Sequence, residues 1–226
     1  MSERKISVGI DIDYTNIIVT IIDKKTYEII NVDGLNKELN TTICFDGKEF
    51  LLGTKTWKKG VDSTFLDEMI TNPEEIRMQK KNIFDYEFEV SDETKLALLL
   101  HQCKTYIDEK GIIENITISI PNKCSLMAIE KIRRACFAAG MEHVDFIPHG
   151  LSPFVYLENF DPQTQKFIGY EKKHIIFDVT SRDITINFGK VNRKVNERKV
   201  ELTKWKTLDT QFTEIMTKMR ELFVEK

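Results

Sequence analysis

Two short segments lie far apart in this chain and share one pattern, which narrows the folds open to it. Val8-Gly9-Ile10-Asp11-Ile12-Asp13-Tyr14-Thr15 leads into the apolar run Ile17-Ile18-Val19-Thr20-Ile21-Ile22. Ile175-Ile176-Phe177-Asp178-Val179-Thr180-Ser181-Arg182-Asp183 leads into Ile184-Thr185-Ile186-Asn187-Phe188. Each reads as a strand rich in β-branched residues, an aspartate near its end, a tight polar turn and a return strand. Such a pair suits two related lobes that present matching hairpins to a shared cleft. Turns that cradle phosphate normally use glycine, which has no Cβ and lets backbone N–H groups come close to oxygen atoms. Both turns here are short of it.

Between the hairpins the pattern alternates between strand and helix. Residues 5–11, 16–23, 27–32 and 41–45 read as short strands, and Asp46-Gly47 between Thr42-Ile43-Cys44-Phe45 and Glu49-Phe50-Leu51-Leu52 is a hairpin signal. Residues 54–90 are less regular and predict one or two short helices around 65–70. Ser91-Asp92-Glu93 opens a helix with acceptor and acidic groups at its positive end, carries Leu96, Leu99, Leu100, Cys103 and Ile107 at helical spacing, and stops at Gly111. Residues 114–120 form a strand before Pro121, 125–139 a helix stopped by Gly140, 144–147 a strand, and 150–157 a helical stretch. A polar linker spans 158–172. Strands at 173–180 and 183–189 follow, with a further strand pair within 191–205. Phe212, Ile215, Met216, Met219, Leu222 and Phe223 then make a helical stripe. The order predicts an α/β, mixed-sheet fold. Residues 1–160 form a first lobe with connecting helices; 161–226 form a partial second lobe of two hairpins and a C-terminal helix.

The net charge of -3 argues against a nucleic-acid partner, because a phosphate backbone needs a concentrated basic face. Trp57-Lys58-Lys59 and residues 193–206 are locally basic and read as solvated surface. There is no signal peptide and no apolar stretch long enough to span a bilayer, so the expectation is a cytoplasmic protein away from membranes. Cys44, Cys103, Cys124 and Cys136 form no Cys-x-x-Cys pair and read as buried thiols in a reducing compartment. The triplets Asn40-Thr41-Thr42 and Asn115-Ile116-Thr117 sit in strand contexts and read as chance.

Asp11 and Asp178 stand where carboxylates would hold a magnesium ion through water, and Thr15 and Thr180 would add hydroxyls. The competing reading is two hairpins whose aspartates cap turns. The joint order of four stretches resembles the nucleotide-binding domain of the seventy-kilodalton heat-shock chaperones, within the actin and sugar-kinase superfamily. They are Val8-Gly9-Ile10-Asp11; Asn40-Thr41-Thr42 with Leu51-Leu52-Gly53; Ile116 to Pro121 with Ile129, Arg133, Ala135, Ala138-Ala139-Gly140-Met141 and Ile147-Pro148; and Ile175-Ile176-Phe177-Asp178-Val179. The resemblance reaches about residue 223. It implies a ribonuclease H-like (actin-like ATPase) lobe and the start of a second, with Asp11, Thr15, Asp178 and Thr180 facing ATP or ADP with magnesium.

The departures from that family change the expectation. Its first loop has a glycine where this chain has Asp13 and a threonine where it has Tyr14. The carboxylate repels phosphate, and the ring fills space that a close backbone approach needs. Its second loop has three glycines where this chain reads Thr180-Ser181-Arg182. The family's catalytic lysine falls after the early helix, yet no Lys or Arg occurs from Val61 through Ile76. Its Glu-Pro-Thr connection is replaced by Pro148-His149-Gly150-Leu151, which makes His149 an incidental turn residue. The chain also stops before the segments that build the family's adenine pocket. The expectation is therefore a pseudo-ATPase without catalytic residues or a bound cofactor, a binding or scaffold module that works on a protein partner or in a larger assembly. Alternatives are a functional ATP- and magnesium-binding chaperone fragment, a small-molecule kinase, or a filament protein of the superfamily.

Overall fold

A computed structural model describes residues 4–23, 26–56, 61–83, 86–153, 170–180, 184–193 and 200–210. In chain order the first strands are β1 (Lys5–Ile12), β2 (Asn16–Asp23), β3 (Thr26–Ile29), β4 (Glu38–Asn40), β5 (Ile43–Phe45) and β6 (Phe50–Leu52). After a 3-10 turn at Gly53–Lys55 come helix α1 (Phe65–Thr71), the hairpin β7 (Met78–Ile83) and β8 (Tyr86–Ser91), helix α2 (Asp92–Asp108), β9 (Ile112–Ile120), helix α3 (Leu126–Ala138) and β10 (Val144–Pro148). Strands β11 (Tyr170–Val179), β12 (Ile184–Arg193) and β13 (Val200–Thr210) complete the described chain. Two compact units result, Met1–Phe146 and Ile147–Lys226. The expected boundary after residue 160 falls outside the described residues.

In the first unit, strict alternation along β1 buries Ile6, Val8, Ile10 and Ile12 on one face and leaves Ser7, Gly9 and Asp11 half-buried on the other. β2 repeats this with Ile17, Val19 and Ile21 buried. The mixed sheet has the order β10-β9-β1-β2-β3, with β4 also on β2. β1 pairs antiparallel with β2 and parallel with β9. Its buried face shares one core with Leu96, Leu99, Leu100 and Cys103 of α2 and Ile132 and Ala135 of α3. Each large aliphatic side chain so buried contributes about 1.5–3 kcal/mol.

Both long helices begin as expected. The hydroxyl of Ser91 accepts from the Thr94 N–H at 3.1 Å, and that of Ser125 from the Ala128 N–H at 3.2 Å. α3 ends as Gly140 takes φ 83°, a left-handed value that glycine adopts without a Cβ clash, and Met141 donates back to the Cys136 carbonyl.

Three expectations change. Residues 54–90 hold α1 but also the unforeseen β7–β8 hairpin, whose Phe88 packs edge-on against Phe45 and Phe50 of the β5–β6 hairpin at 5.6 and 6.3 Å between ring centres. The further strand pair within 191–205 is instead the end of β12 and the start of β13, so the described residues of the second unit form a three-stranded antiparallel meander. Gly150 and Leu151 form a turn and the expected helical stretch begins at Ser152; residues 154–157 lie outside the described residues. The same holds for most of the 158–172 linker and for the stripe from Phe212 to Phe223, whereas residues 170–172 already belong to β11.

Candidate functional site

The two hairpins form as the sequence implies, one in each unit, and each aspartate has its own setting. In the first unit β1 ends at Ile12 and β2 begins at Asn16, leaving Asp13-Tyr14-Thr15 as the turn. The Asp13 N–H donates to the Asn16 carbonyl at 2.9 Å. The Tyr14 N–H donates at 2.8 Å to Oδ1 of Asp13. A carboxylate of the chain itself thus takes up one of the turn's backbone donors. The Thr15 hydroxyl donates to the side-chain oxygen of Asn16. From the far side, Thr41 clamps the turn: its N–H reaches the Thr15 carbonyl and its hydroxyl the Tyr14 carbonyl, both at 2.8 Å.

The Tyr14 ring does not fill the open side of the turn. It continues the alternation of Ile10 and Ile12 and is buried in the core at 2% exposure. Asp11 lies on the opposite face of β1, with Ile18 across the antiparallel ladder and Ser119 beside it on β9. The Ser119 hydroxyl is buried and has no hydrogen-bond partner among the described residues. Near the turn, Asn36, Lys37, Glu38, Asn40 and Thr54 line an open polar cleft of about 380 Å³, which includes neither Asp11 nor Thr15.

In the second unit Asp178 pairs across the ladder with Thr185, whose hydroxyl donates to Asp178 Oδ2 at 3.3 Å. Nδ1 of His149 stands 3.8 Å from the same oxygen, too long for a hydrogen bond but close enough for an ion pair when the ring is protonated. His149 is a turn residue as expected, since Ser152 donates to its carbonyl, but its ring is buried beside Asp178 rather than incidental. Gly150 follows, and a Cβ there would collide with the amide of the fully buried Asn187. Only glycine lets that turn lie against β12. Thr180, after β11, is half-buried; Ser181, Arg182 and Asp183 lie outside the described residues.

A third cluster, in the first unit, was not anticipated. Nζ of Lys95, almost fully buried, lies 2.7 Å from Asp92 Oδ1 and 2.8 Å from Asp62 Oδ2, over the Phe65 ring. Gln79 also donates to Asp62 Oδ2 at 3.0 Å. Burial pushes the Asp62 carboxyl up, but the Lys95 hydrogen bond and charge, the Thr64 N–H and the Arg77 charge together outweigh it and hold the group below the ordinary carboxylate value. The hydrogen bond from Arg134 likewise holds Glu93 low. The available signal was a lysine four residues before Leu99, on the apolar flank of α2. Burial lifts the thiols of Cys103, Cys124 and Cys136 to about 12.

Among the described residues no three His, Cys, Asp or Glu side chains converge as a metal site, and no helix is long and apolar enough to cross a membrane. Compared with known proteins, the chain matches no family model and no curated protein.

Proposed function

We propose that this chain is a divergent nucleotide-binding domain of the heat-shock chaperone type, with a ribonuclease H-like first lobe, that does not hydrolyse ATP. It serves as a binding or scaffold module within a protein assembly of the cytoplasm. The observation that carries this reading is the bond from the Tyr14 N–H to the Asp13 carboxylate. Phosphoryl transfer works by positioning and by neutralising phosphate charge. A fixed carboxylate at the centre of the cradle opposes both, since it occupies a donor and adds like charge.

Three further features support it. The sheet order β3-β2-β1-β9-β10, with three antiparallel strands followed by a strand parallel to β1, suits a ribonuclease H-like lobe. From α1 through Ile76, the stretch in which the resemblance places the family's catalytic lysine, the chain has no Lys or Arg. The Asp178 oxygen that would face a hydrated cation already accepts a bond from Thr185.

Thermal melting with and without Mg-ATP tests the reading, because a ligand that binds only the folded state raises the melting temperature. No shift is expected. A rise of several degrees at millimolar Mg-ATP would overturn the proposal in favour of a working ATP-binding domain.

A further inference from the structure

The outer face of α3 carries a pattern that its packing in the first unit does not use. The inner side buries Ala128, Ile132, Ala135 and Cys136. On the solvent side stand two large apolar side chains, Leu126 at 82% exposure and Phe137 at 68%. They are not scattered. At about 3.6 residues per turn, Leu126, Glu130, Arg133 and Phe137 fall within about 60° of one line that runs the length of the helix. Along it the order is apolar, acidic, basic, apolar, and Glu130 and Arg133 pair with each other at 3.2 Å. The four positions are symmetric about the midpoint between Lys131 and Ile132. An antiparallel copy of the same helix therefore sets Leu126 against Phe137 and Glu130 against Arg133, each contact made twice. A parallel copy in register would set Glu130 against Glu130 and Arg133 against Arg133 instead.

The other charges near this line leave the match intact. Arg134, on its flank, is held by both oxygens of Glu93 at 2.9 and 2.8 Å. Lys104, which lies against Gly140 at the end of the helix, pairs with Asp108. Lys131 is on the buried side and donates to the Glu75 carbonyl. Arg133 stays half-exposed although it also donates to the Val144 carbonyl and lies over the Phe146 ring. Lys123 precedes the helix and Glu142 follows it, both exposed, so the antiparallel arrangement brings the Lys123 of each copy toward the Glu142 of the other.

We propose that two copies of this chain associate through α3, antiparallel, about a two-fold axis that crosses the helix between Lys131 and Ile132. Leu126 of each copy covers Phe137 of the other at the two ends of the contact. At its centre Glu130 and Arg133 of both copies alternate in sign, so every charge meets an opposite one within its own helix and across the axis. The opposed helix dipoles favour the same direction. One helix face is a small contact, which suits association at micromolar concentration rather than a permanent dimer. The inference rests on the scaffold reading, whose partner it names as a second copy, but not on whether nucleotide binds.

The test is sedimentation velocity of the full chain at physiological salt, from about 1 to about 100 µM. The wild type should pass from monomer to dimer across that range. Leu126→Asp/Phe137→Asp should raise the dissociation constant at least about tenfold. So should Glu130→Arg and Arg133→Glu singly, because each sets like charges against one another. The reversed pair Glu130→Arg/Arg133→Glu should dimerise again, and so should an equimolar mixture of the two single variants. All four positions are exposed, so circular dichroism should show the fold kept. Arg133→Glu also gives up the bond to Val144; if that disturbs the fold, Leu126→Asp/Phe137→Asp and Glu130→Arg still decide. The proposal is overturned if the wild type stays monomeric throughout, if any variant expected to weaken association dimerises as tightly as wild type, or if the reversed pair keeps its fold and stays monomeric. A melting shift with Mg-ATP would instead sink the non-hydrolysing reading and leave the dimer standing.

Discussion

The hairpin of β1 and β2 and the hairpin of β11 and β12 carry the same strand-aspartate-turn pattern, yet their aspartates meet different neighbours. Across the ladder from Asp11 stands Ile18; across from Asp178 stands Thr185, which donates to it. The first turn is held by what lies beneath and behind it, the Tyr14 ring in the core and Thr41 on the backbone. In the second hairpin the carboxylate itself is held, by a hydroxyl and beside a buried imidazole. A shared linear pattern fixes where the carboxylate sits in its strand, but not which residue faces it across the ladder.

If the first turn depends on its buried anchor, Tyr14→Ala should have the largest effect, a loss of about 3–5 kcal/mol in the first unit. Hydrogen exchange read over residues 5–23 would show it, with residues 170–193 unchanged. Equal loss of protection in both segments would break the contrast. Thr185→Val should act on the other side, destabilising the second hairpin by about 1–3 kcal/mol as the Asp178 carboxylate loses a donor. An unchanged exchange rate over β12 would show that Asp178 needs no cross-strand support.

Acid should separate the two hairpins' units as well. Asp62 has a folded pKa below its unfolded value near 3.9, so its stabilising effect is complete above about pH 4 and is lost as pH falls through the lowered folded value. Protection over residues 62–95 should therefore hold at pH 5 and fall on acidification below about pH 4, and a loss near neutrality would contradict the assignment. The smallest effect concerns the thiols. All four cysteines precede residue 146, so alkylation reports the first unit alone. With values near 12, Cys103, Cys124 and Cys136 should react with iodoacetamide at pH 8 far more slowly than in the unfolded chain. Rapid native labelling of all three would show a looser core than the one described.

Much of this architecture was legible because its signals are local. Ser91 and Ser125 announce their helices within three residues, and Asp46-Gly47 announces its hairpin. The alternation Tyr86-Glu87-Phe88-Glu89-Val90 was equally visible, but β7 is charged and the sequence between the strands, Phe84-Asp85, has no glycine or asparagine to mark a hairpin. What completes that hairpin is the contact of Phe88 with Phe45 and Phe50, some forty residues away. The Asp62–Lys95 pair is separated by 33 positions, and the contact between His149 and Asp178 by a comparable stretch, so neither leaves a local trace. At the first turn the sequence showed that Asp13 and Tyr14 are unusual but not their division of labour. Residue parity in β1 sends Tyr14 inward and leaves the donor to Asp13.

The parallel pairing of β1 with β9 has a consequence for the birth of the protein. Lys5 meets Ile112, and Asp11 meets Ser119, so each partner is made more than a hundred residues after the strand it joins. During synthesis β1 and β2 can zip together at once, yet one border of the nascent ribbon stays open until residue 120 leaves the ribosome. That interval leaves an isoleucine-rich border able to pair with a neighbouring nascent chain. Slower translation between residues 23 and 112 should therefore lower the yield of folded protein.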